Sequence, residues 1–375
     1  MKINTFIFKV ASLCNLNCKY CYVYNKGDSS FKKQPKHMSA FTFELALNKI
    51  IAYAEENNIS TVNINFHGGE PLLMGYDRAE KFLDILRKTF SNSRVNYSST
   101  IQTNGLLLDE KFINLFIDKN IGIYISSDGT SEMNDRYRVD FSDIGIGMRL
   151  ENKLDLISTT PLNKNFRGFL CVIDLQNDPE EIYFYFKRYN PFLVDFLLPL
   201  NNYKSPPAEE IKFYGEWLIK LFNVYMNDIS NNFRIRYFDD IILKILKKSA
   251  SHTKELLIPI IIETNGQIEL DDTLKVANGA ALNMNIQEES INSLLKNERF
   301  NLIEKEMTNL PNACQACPVN DICHGGHISH RYSDNNNFDN PSIFCEALYM
   351  LIEHVSVHLE QVIAASKKSS SENLV

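Results

Sequence analysis

Residues 4–11 alternate polar and apolar positions and then run apolar, as in a strand whose burial deepens toward its end. A polar loop over 22–38 follows. Ser39 then stands as an N-cap for an amphipathic helix to about residue 57, with Phe41, Leu45, Leu47, Ile50 and Ile51 available for burial. The stretch from Thr61 to Phe66 has the period of two of a strand. Beyond it the pattern predicts a helix at about 76–90, a strand at about 94–102, a helix at about 109–118 and a strand over 121–126. A helix near 144–158, a strand at 167–174, a helix at 178–190 and a strand at 193–199 complete the series. Six strands alternating with helices make βαβ units and a parallel α/β sheet. If that sheet curls into a partial (β/α)6 TIM-like barrel, ligands bind at the C-terminal ends of its strands.

The pattern changes after residue 200. A connector over 200–234 contains Pro206-Pro207 and an amphipathic helix at about 208–229, and a domain boundary is expected near 235. Residues 1–235 would be the barrel and 236–375 a second unit. That unit opens with a basic amphipathic helix at 238–249, an apolar strand over 257–262 and a turn at Asn265-Gly266. Pro259 inside the strand predicts a place at a sheet edge. A helix is expected at 342–364.

A chain of 375 residues with 44% hydrophobic content can bury two cores. Net charge is −7 and the sequence pI about 5.7, with no basic, aromatic-interleaved track, which argues against a nucleic-acid partner. The opening residues lack the apolar core and cleavage site of a signal peptide, and no apolar run is long enough to span a membrane. A cytoplasmic location without membrane attachment is therefore expected. Eight cysteines in such a chain read as metal-binding or catalytic rather than disulfide-forming. Seven fall in two groups, whereas Cys171 stands alone as a small residue for burial.

The first group is Cys14, Cys18 and Cys21, three thiols on the loop leaving the first strand. Thiolates select zinc, copper(I) or iron–sulfur clusters. A closed zinc site would need a fourth ligand, for which His37 is nearest, whereas three thiolates on a cluster leave one iron open. The second group is Cys314, Cys317, Cys323 and Cys345, four thiols that suit zinc or a [4Fe–4S] cluster equally well. Other polar elements sit at the expected strand ends. Gly68-Gly69-Glu70 ends the second strand, Gln102-Thr103-Asn104-Gly105 the third and Ser126-Ser127-Asp128-Gly129 the fourth, with Asn134 to Arg138 beyond. Read alone, these are a tight turn with a solvated acid and ordinary turn signals.

Taken together, the C-x3-C-x2-C spacing with Tyr20 before the last Cys resembles the signature of the radical S-adenosylmethionine enzymes. The resemblance implies a [4Fe–4S] cluster on Cys14, Cys18 and Cys21 whose open iron binds S-adenosylmethionine, and reductive cleavage of that cofactor to a 5′-deoxyadenosyl radical. Gly68, Gly69 and Glu70 look like the family's GGE motif, which receives the methionyl ammonium. The two glycines would let the backbone approach the ligand. Gln102 and Asn104 belong to a stretch similar to the T-N-G element lining the same cavity. Ser126 and Arg138 match the pair that holds the methionyl carboxylate, a geometry a guanidinium suits. Asn134 stands where the pattern has His and is not expected to touch ligand. Val172 on the fifth strand is placed beside the adenine, with a core valine as the alternative.

The second cysteine group resembles the SPASM domain, which adds auxiliary clusters to peptide-modifying radical enzymes. The usual seven cysteines are reduced here: His324-Gly325-Gly326-His327 follows Cys323 without a further Cys, the pair around Asn265-Gly266 is missing, and Asp271 stands where a Cys follows the hairpin. The resemblance thus implies one auxiliary [4Fe–4S] cluster, on Cys314, Cys317, Cys323 and Cys345. Asp272 matches the base of the sulfatase-maturing relatives, with a surface Asp as the alternative, and crowding by Glu269 and Asp271 is expected to push one carboxyl pKa upward, which suits a proton acceptor. The strings 263–275 and 325–333 resemble the cyclophane-forming (triceptide) maturases, which join an aromatic ring carbon to a side-chain Cβ in a ribosomally made precursor peptide. That activity is the expected one, with formylglycine-generating sulfatase maturation or thioether formation as the enzyme alternatives and a four-cysteine metal-binding module as the non-enzyme one. His330 and Arg331 are candidate peptide contacts. Leader recognition would fall to the C-terminal unit, for example its helix at 342–364, or to another protein. The expected electron donor is a flavodoxin or a ferredoxin-like protein.

Overall fold

The computed structural model describes residues 3–159, 164–247, 258–277 and 279–372. Six parallel strands run in chain order: β1 (Thr5–Ala11), β2 (Thr61–Gly68), β3 (Asn96–Thr103), β4 (Gly122–Ser126), β5 (Phe166–Val172) and β6 (Leu193–Leu197). Helices α1 (Ala40–Glu56), α2 (Tyr76–Ser91), α3 (Glu110–Asp118), α4 (Ser131–Asp135), α5 (Gly147–Thr159) and α6 (Pro179–Lys187) lie between them. Period-two strands alternating with amphipathic helices thus give the expected α/β barrel sheet. Ser39 caps α1 by accepting from the Thr42 amide, satisfying an orphan donor of the first turn.

Alternation along the strands sorts the two faces. Phe6 and Phe8 of β1 and Val62, Ile64 and Phe66 of β2 are buried against the helices, with the Phe8 ring 4.9 Å from that of Phe43 in α1. The opposite face carries polar side chains: Ser98 donates to Asn63 at 2.6 Å and Thr100 to Asn65 at 2.7 Å across β2 and β3. Lys9 belongs to this second face, directly opposite His67 in the β1–β2 register.

The sheet does not stop at β6. α7 (Ile211–Asn227) leads to the short β7 (Arg234–Ile235), which pairs parallel to β6, and then to α8 (Arg236–Lys247). After it come β8 (Ile260–Ile262), β9 (Gln267–Glu269) and β10 (Ala281–Asn285), and the order across the sheet is β10-β9-β8-β1-β2-β3-β4-β5-β6-β7. β8 pairs parallel to β1 on one side and antiparallel to β9 on the other. The expectation of an edge strand is therefore overturned: Pro259 immediately precedes the strand, where its missing N–H interrupts no ladder, and all three isoleucines are fully buried. The start expected at residue 257 lies outside the described residues. α9 (Glu298–Thr308), α10 (Asn312–Gln315), α11 (Asn320–Cys323) and α12 (Cys345–Glu372) complete the chain, with α12 packed along α7 and α8. Among the described residues, no helix is long and apolar enough to cross a membrane.

Candidate active site

The loop after β1 carries the first three thiols half-buried. Asn17 and Lys19 on this loop donate backbone N–H groups to Val139 and Tyr137, so it is pinned against the segment that carries Arg138. Gly69 and Glu70 donate theirs to Ala11 and Leu13. A Cβ on Gly68 would lie 2.2 Å from the Ala11 carbonyl oxygen, and one on Gly69 2.3 Å from that of Leu13. Close approach is thus required here, but between two strand exits of the protein rather than to a ligand.

Glu70 is 1% exposed and accepts from Thr103 Oγ1 (2.6 Å), the Asn104 amide (2.8 Å) and the Leu72 amide (3.1 Å). Its carboxylate clamps the loop after β2 to the loop after β3, leaving about one of its roughly four acceptor positions for another donor. Burial pushes it up to about 7 against these hydrogen bonds. Asn104 donates to Asn15 Oδ1 at 2.8 Å and approaches Cys14 Sγ at 3.9 Å, so the third-strand element does meet the cysteine loop. Gln102 hydrogen-bonds the ring of His67.

On the other side, Asp128 organises the site, a role sequence reading did not assign to it. Its Oδ2 accepts from Tyr20 (2.6 Å) and from Arg138 Nε (3.1 Å), and its Oδ1 from the Val172 amide (3.1 Å). Tyr20, Arg138 and Val172 are thereby brought together around one carboxylate, with the Arg138 guanidinium 5.7 Å from the centre of the Tyr20 ring. Ser126 ends β4 half-buried two residues before it. Asn134 staples the same turn, accepting from the Asp128 amide (2.9 Å) and donating to the Gly129 carbonyl (2.6 Å), in line with its expected absence from the ligand. Cys171 lies fully buried in the core.

Asp272 opens a one-turn 3-10 helix (Asp272–Val276) after β9 and is 6% exposed. Its Oδ2 meets the Lys9 ammonium and stands 3.5 Å from the Tyr22 hydroxyl, while Lys9 Nζ is also 3.3 Å from His67 Nδ1. Behind it, Lys275 sits among carboxylates: Glu263 and Glu269 at 3.0 Å each, Asp28 at 3.7 Å and Asp272 Oδ1 at 3.9 Å. The expected upward shift is present, but it does not fall on Asp272. Burial pushes it up, but Lys9 and Lys275 outweigh burial and hold it below the ordinary carboxylate range. Glu269 takes the upward shift instead, to about 7, through burial and then Glu263. Asp271 does not crowd Asp272 as expected; it caps the turn at the Thr273 amide and lies 3.8 Å from His327 Nε2.

The second thiol group is assembled from α10, α11 and the start of α12. Cys314 is buried, Cys317 and Cys323 half-buried and Cys345 exposed, and the four act electrostatically on one another. Arg331 is not a peptide contact. It is 1% exposed, and its guanidinium donates to the carbonyls of Phe338 (2.6 Å), Asn340 (3.1 Å) and Glu306 (2.9 Å). His330 is likewise buried, its ring 4.9 Å from that of Phe344, and burial pushes it down to about 3. A surface cavity of about 650 Å³ between α6 and α7, lined by Phe184, Glu216 and Asp228 among others, contains none of these residues.

The donor sets fit iron–sulfur clusters better than zinc. A tetrahedral zinc with Zn–S of about 2.3 Å holds its sulfurs about 3.8 Å apart. Among the described residues, no three thiols of either group lie within 4.8 Å of one another, as ligands on separate irons need not. Burial pushes the Cys14 thiol up to about 12, and it raises Cys18 and Cys21 against the nearby Arg138 and, for Cys21, Lys9 as well.

Residues 8–145, from β1 past Arg138, match the Radical SAM superfamily. That segment is thus a Radical SAM domain, and the donor sets just described fit the [4Fe–4S] cluster and S-adenosylmethionine that such a domain uses. More particularly, the chain is similar over nearly its whole length to the cysteine-type anaerobic sulfatase-maturating enzyme of Clostridium novyi (strain NT), with 27% identity over 367 residues covering 94% of this chain and 95% of that protein. Its fold matches that of native anSMEcpe with bound AdoMet at a TM-score of 0.82 and 24% identity, covering 95% of this chain and 98% of that one. Streptococcus suis SuiB bound to precursor peptide SuiA shares the fold at a TM-score of 0.63 and 15% identity, over 92% of this chain and 76% of that one.

Proposed function

We propose that this chain oxidises a cysteine or serine side chain of a peptide or protein to the aldehyde, the formylglycine-generating form of sulfatase maturation; relatives along nearly its whole length are named cysteine-type and serine-type anaerobic sulfatase-maturating enzymes. The carrying observation is the placement of one ionised, buried carboxylate, Asp272, against the ends of β1 and β2, together with similarity that spans both the barrel and the C-terminal segment. Cys14, Cys18 and Cys21 would hold the reactive cluster, and Cys314, Cys317, Cys323 and Cys345 one auxiliary cluster. With S-adenosylmethionine bound, the first would supply the radical chemistry that removes a hydrogen atom from the substrate carbon. Arg138 and Ser126 would hold the cofactor's carboxylate, and Glu70 with its remaining acceptor position its ammonium. Beyond that hydrogen atom, the oxidation gives up one proton from the substrate sulfur or oxygen, which Asp272 accepts, and one electron, for which the auxiliary cluster would be the acceptor; serine then reaches the aldehyde directly, and cysteine a thioaldehyde that water converts to the aldehyde with release of hydrogen sulfide.

Cyclophane formation on a ribosomally made precursor is the second reading. It needs the same hydrogen-atom removal and the same proton acceptor, but the strings that favour it have interior tasks here: Glu263 and Glu269 each pair with Lys275, and Arg331 staples carbonyls. Anaerobically reconstituted enzyme, S-adenosylmethionine, reductant and peptides bearing Cys or Ser, followed by mass spectrometry, distinguish them. Conversion of Cys or Ser to formylglycine is expected. Crosslinked peptide that has lost two hydrogens and kept its Cys or Ser would replace the first reading with the second. One auxiliary cluster predicts about eight irons per chain rather than about twelve.

A further inference from the structure

We infer that Lys9 is a positioning residue for proton transfer: it engages Oδ2 of Asp272, which leaves Oδ1 as the oxygen that receives the substrate proton. This rests on the assignment of Asp272 as acceptor made above. Lys9 is a charged residue in the middle of an otherwise apolar strand end, 3% exposed, on the barrel-facing side of β1. Its ammonium donates to Asp272 Oδ2 and to His67 Nδ1, and His67 in turn bonds Gln102. Lys9, His67 and Gln102 come from three adjacent strands, and the last two directly precede the Gly68-Gly69-Glu70 and Thr103-Asn104-Gly105 loops. A polar layer thus joins the strand ends beneath the cofactor loops to a carboxylate contributed by the C-terminal segment.

The two oxygens of Asp272 are not equivalent. Oδ2 has Lys9 and, at 3.5 Å, the Tyr22 hydroxyl. Oδ1 is buried without a hydrogen-bond donor among the described residues, and its nearest cation, Lys275, stands off at 3.9 Å. A buried ion pair is seldom retained for stability, since well-packed apolar residues of similar volume serve as well or better. A buried acceptor with one oxygen tied and one open is instead what directional proton uptake needs. Lys9 keeps a proton on His67 Nδ1 superfluous, because that nitrogen accepts from the ammonium, and burial and Lys9 push His67 down to about 3. The other charged groups that face Asp272 are Lys275 and Asp271 of its own turn and Glu263 and Glu269 of the β8–β9 hairpin.

The test is the pH profile of kcat/KM for peptide oxidation in wild type, Lys9→Met, Lys9→Arg and Asp272→Asn, each normalised to cluster content. Wild type is expected to show no acidic limb from Asp272 between pH 6 and 8. Lys9→Met is expected to gain one, with the rate falling about tenfold per pH unit below its midpoint, because without Lys9 the buried Asp272 carboxyl should rise toward the value of about 7 that burial gives Glu269 beside the same Lys275. Lys9→Arg, which restores the cation, should return the profile to that of wild type. His67→Asn in the Lys9→Met background removes the other group able to replace the charge, and should leave the limb in place. A Lys9→Met profile that superimposes on wild type, beside an inactive Asp272→Asn, overturns the role of Lys9 alone. Full peptide oxidation by Asp272→Asn overturns both the acceptor assignment and this inference. Should Lys9→Met fold poorly because it strands a buried carboxylate, Lys9→Met/Asp272→Asn should recover folding, and the Lys9→Arg profile carries the decision.

Discussion

Asp128 shows how one carboxylate can organise a binding wall from residues far apart in sequence. Tyr20 arrives from the cysteine loop, Arg138 from the segment after α4 and Val172 from the end of β5, and all three donate to it. Both members of the Asp128–Arg138 pair are almost fully enclosed. Asp128→Ala would leave the guanidinium buried without its counter-ion, a change that typically costs about 3–5 kcal/mol. A fall of that size is expected in chemical denaturation of the apoprotein, with S-adenosylmethionine binding lost as well; an unchanged midpoint would show that Arg138 finds another partner. Glu70 gives a pH prediction at the same scale. It is pushed up to about 7 by burial, so below that pH the free enzyme carries a neutral acid where the cofactor's ammonium calls for a charged one. The Kd for S-adenosylmethionine, measured by equilibrium dialysis, should therefore rise about tenfold per unit as pH falls below 7. Glu70→Gln should bind weakly and without that dependence.

At the scale of elements, the exits of β1 and β2 are interlocked through backbone, and Gly69 is where the fit is tightest. A Cβ there would meet the Leu13 carbonyl carbon at 2.4 Å as well as its oxygen, and neither is the end of a flexible side chain. Gly69→Ala should displace the cysteine loop, seen as sub-stoichiometric iron after reconstitution and a thermal midpoint several degrees lower. These loops were legible in the sequence because their glycines, acids and cysteines fall at strand ends that hydrophobic period alone locates. Lys9 and Asp128 were not assigned roles from sequence. Lys9 reads as a polar interruption in an apolar strand, and Asp128 as one more turn residue, until Asp272 and Arg138 arrive beside them from elsewhere in the chain. The place of β8 was misjudged for a related reason. Pro259 speaks only for its own missing N–H, whereas the pairing of Ile260–Ile262 with Phe6–Phe8 is set by a contact across some two hundred and fifty residues, to which local pattern is blind.

For the whole molecule, the β8–β10 hairpin segment is part of the barrel sheet, so the proposed boundary near residue 235 separates sequence blocks that share one core. Buried titratable groups from both blocks then act on a single folding equilibrium. His67 and His330 are pushed by burial to about 3 from an ordinary 6.5, so the folded chain binds fewer protons than the unfolded one between those values, and stability falls as pH drops through that window. Glu70 and Glu269 are raised to about 7 from 4.5, so they act in the opposite sense between 4.5 and 7, where the folded chain holds protons the unfolded one releases. Each group contributes about 1.4 kcal/mol per pH unit inside its window. The two pairs oppose each other from about 6.5 down to about 4.5, and the histidines act unopposed below that. Unfolding free energy of the apoprotein should therefore change little between pH 6.5 and 4.5 and then fall steeply toward pH 3. His330→Asn, which replaces a buried ring that packs on Phe344 and lies outside the cofactor loops, should roughly halve the slope of that fall. An unaltered slope in the variant would assign the acid loss instead to a buried carboxylate held low by its cations, Asp272 beside Lys9 and Lys275.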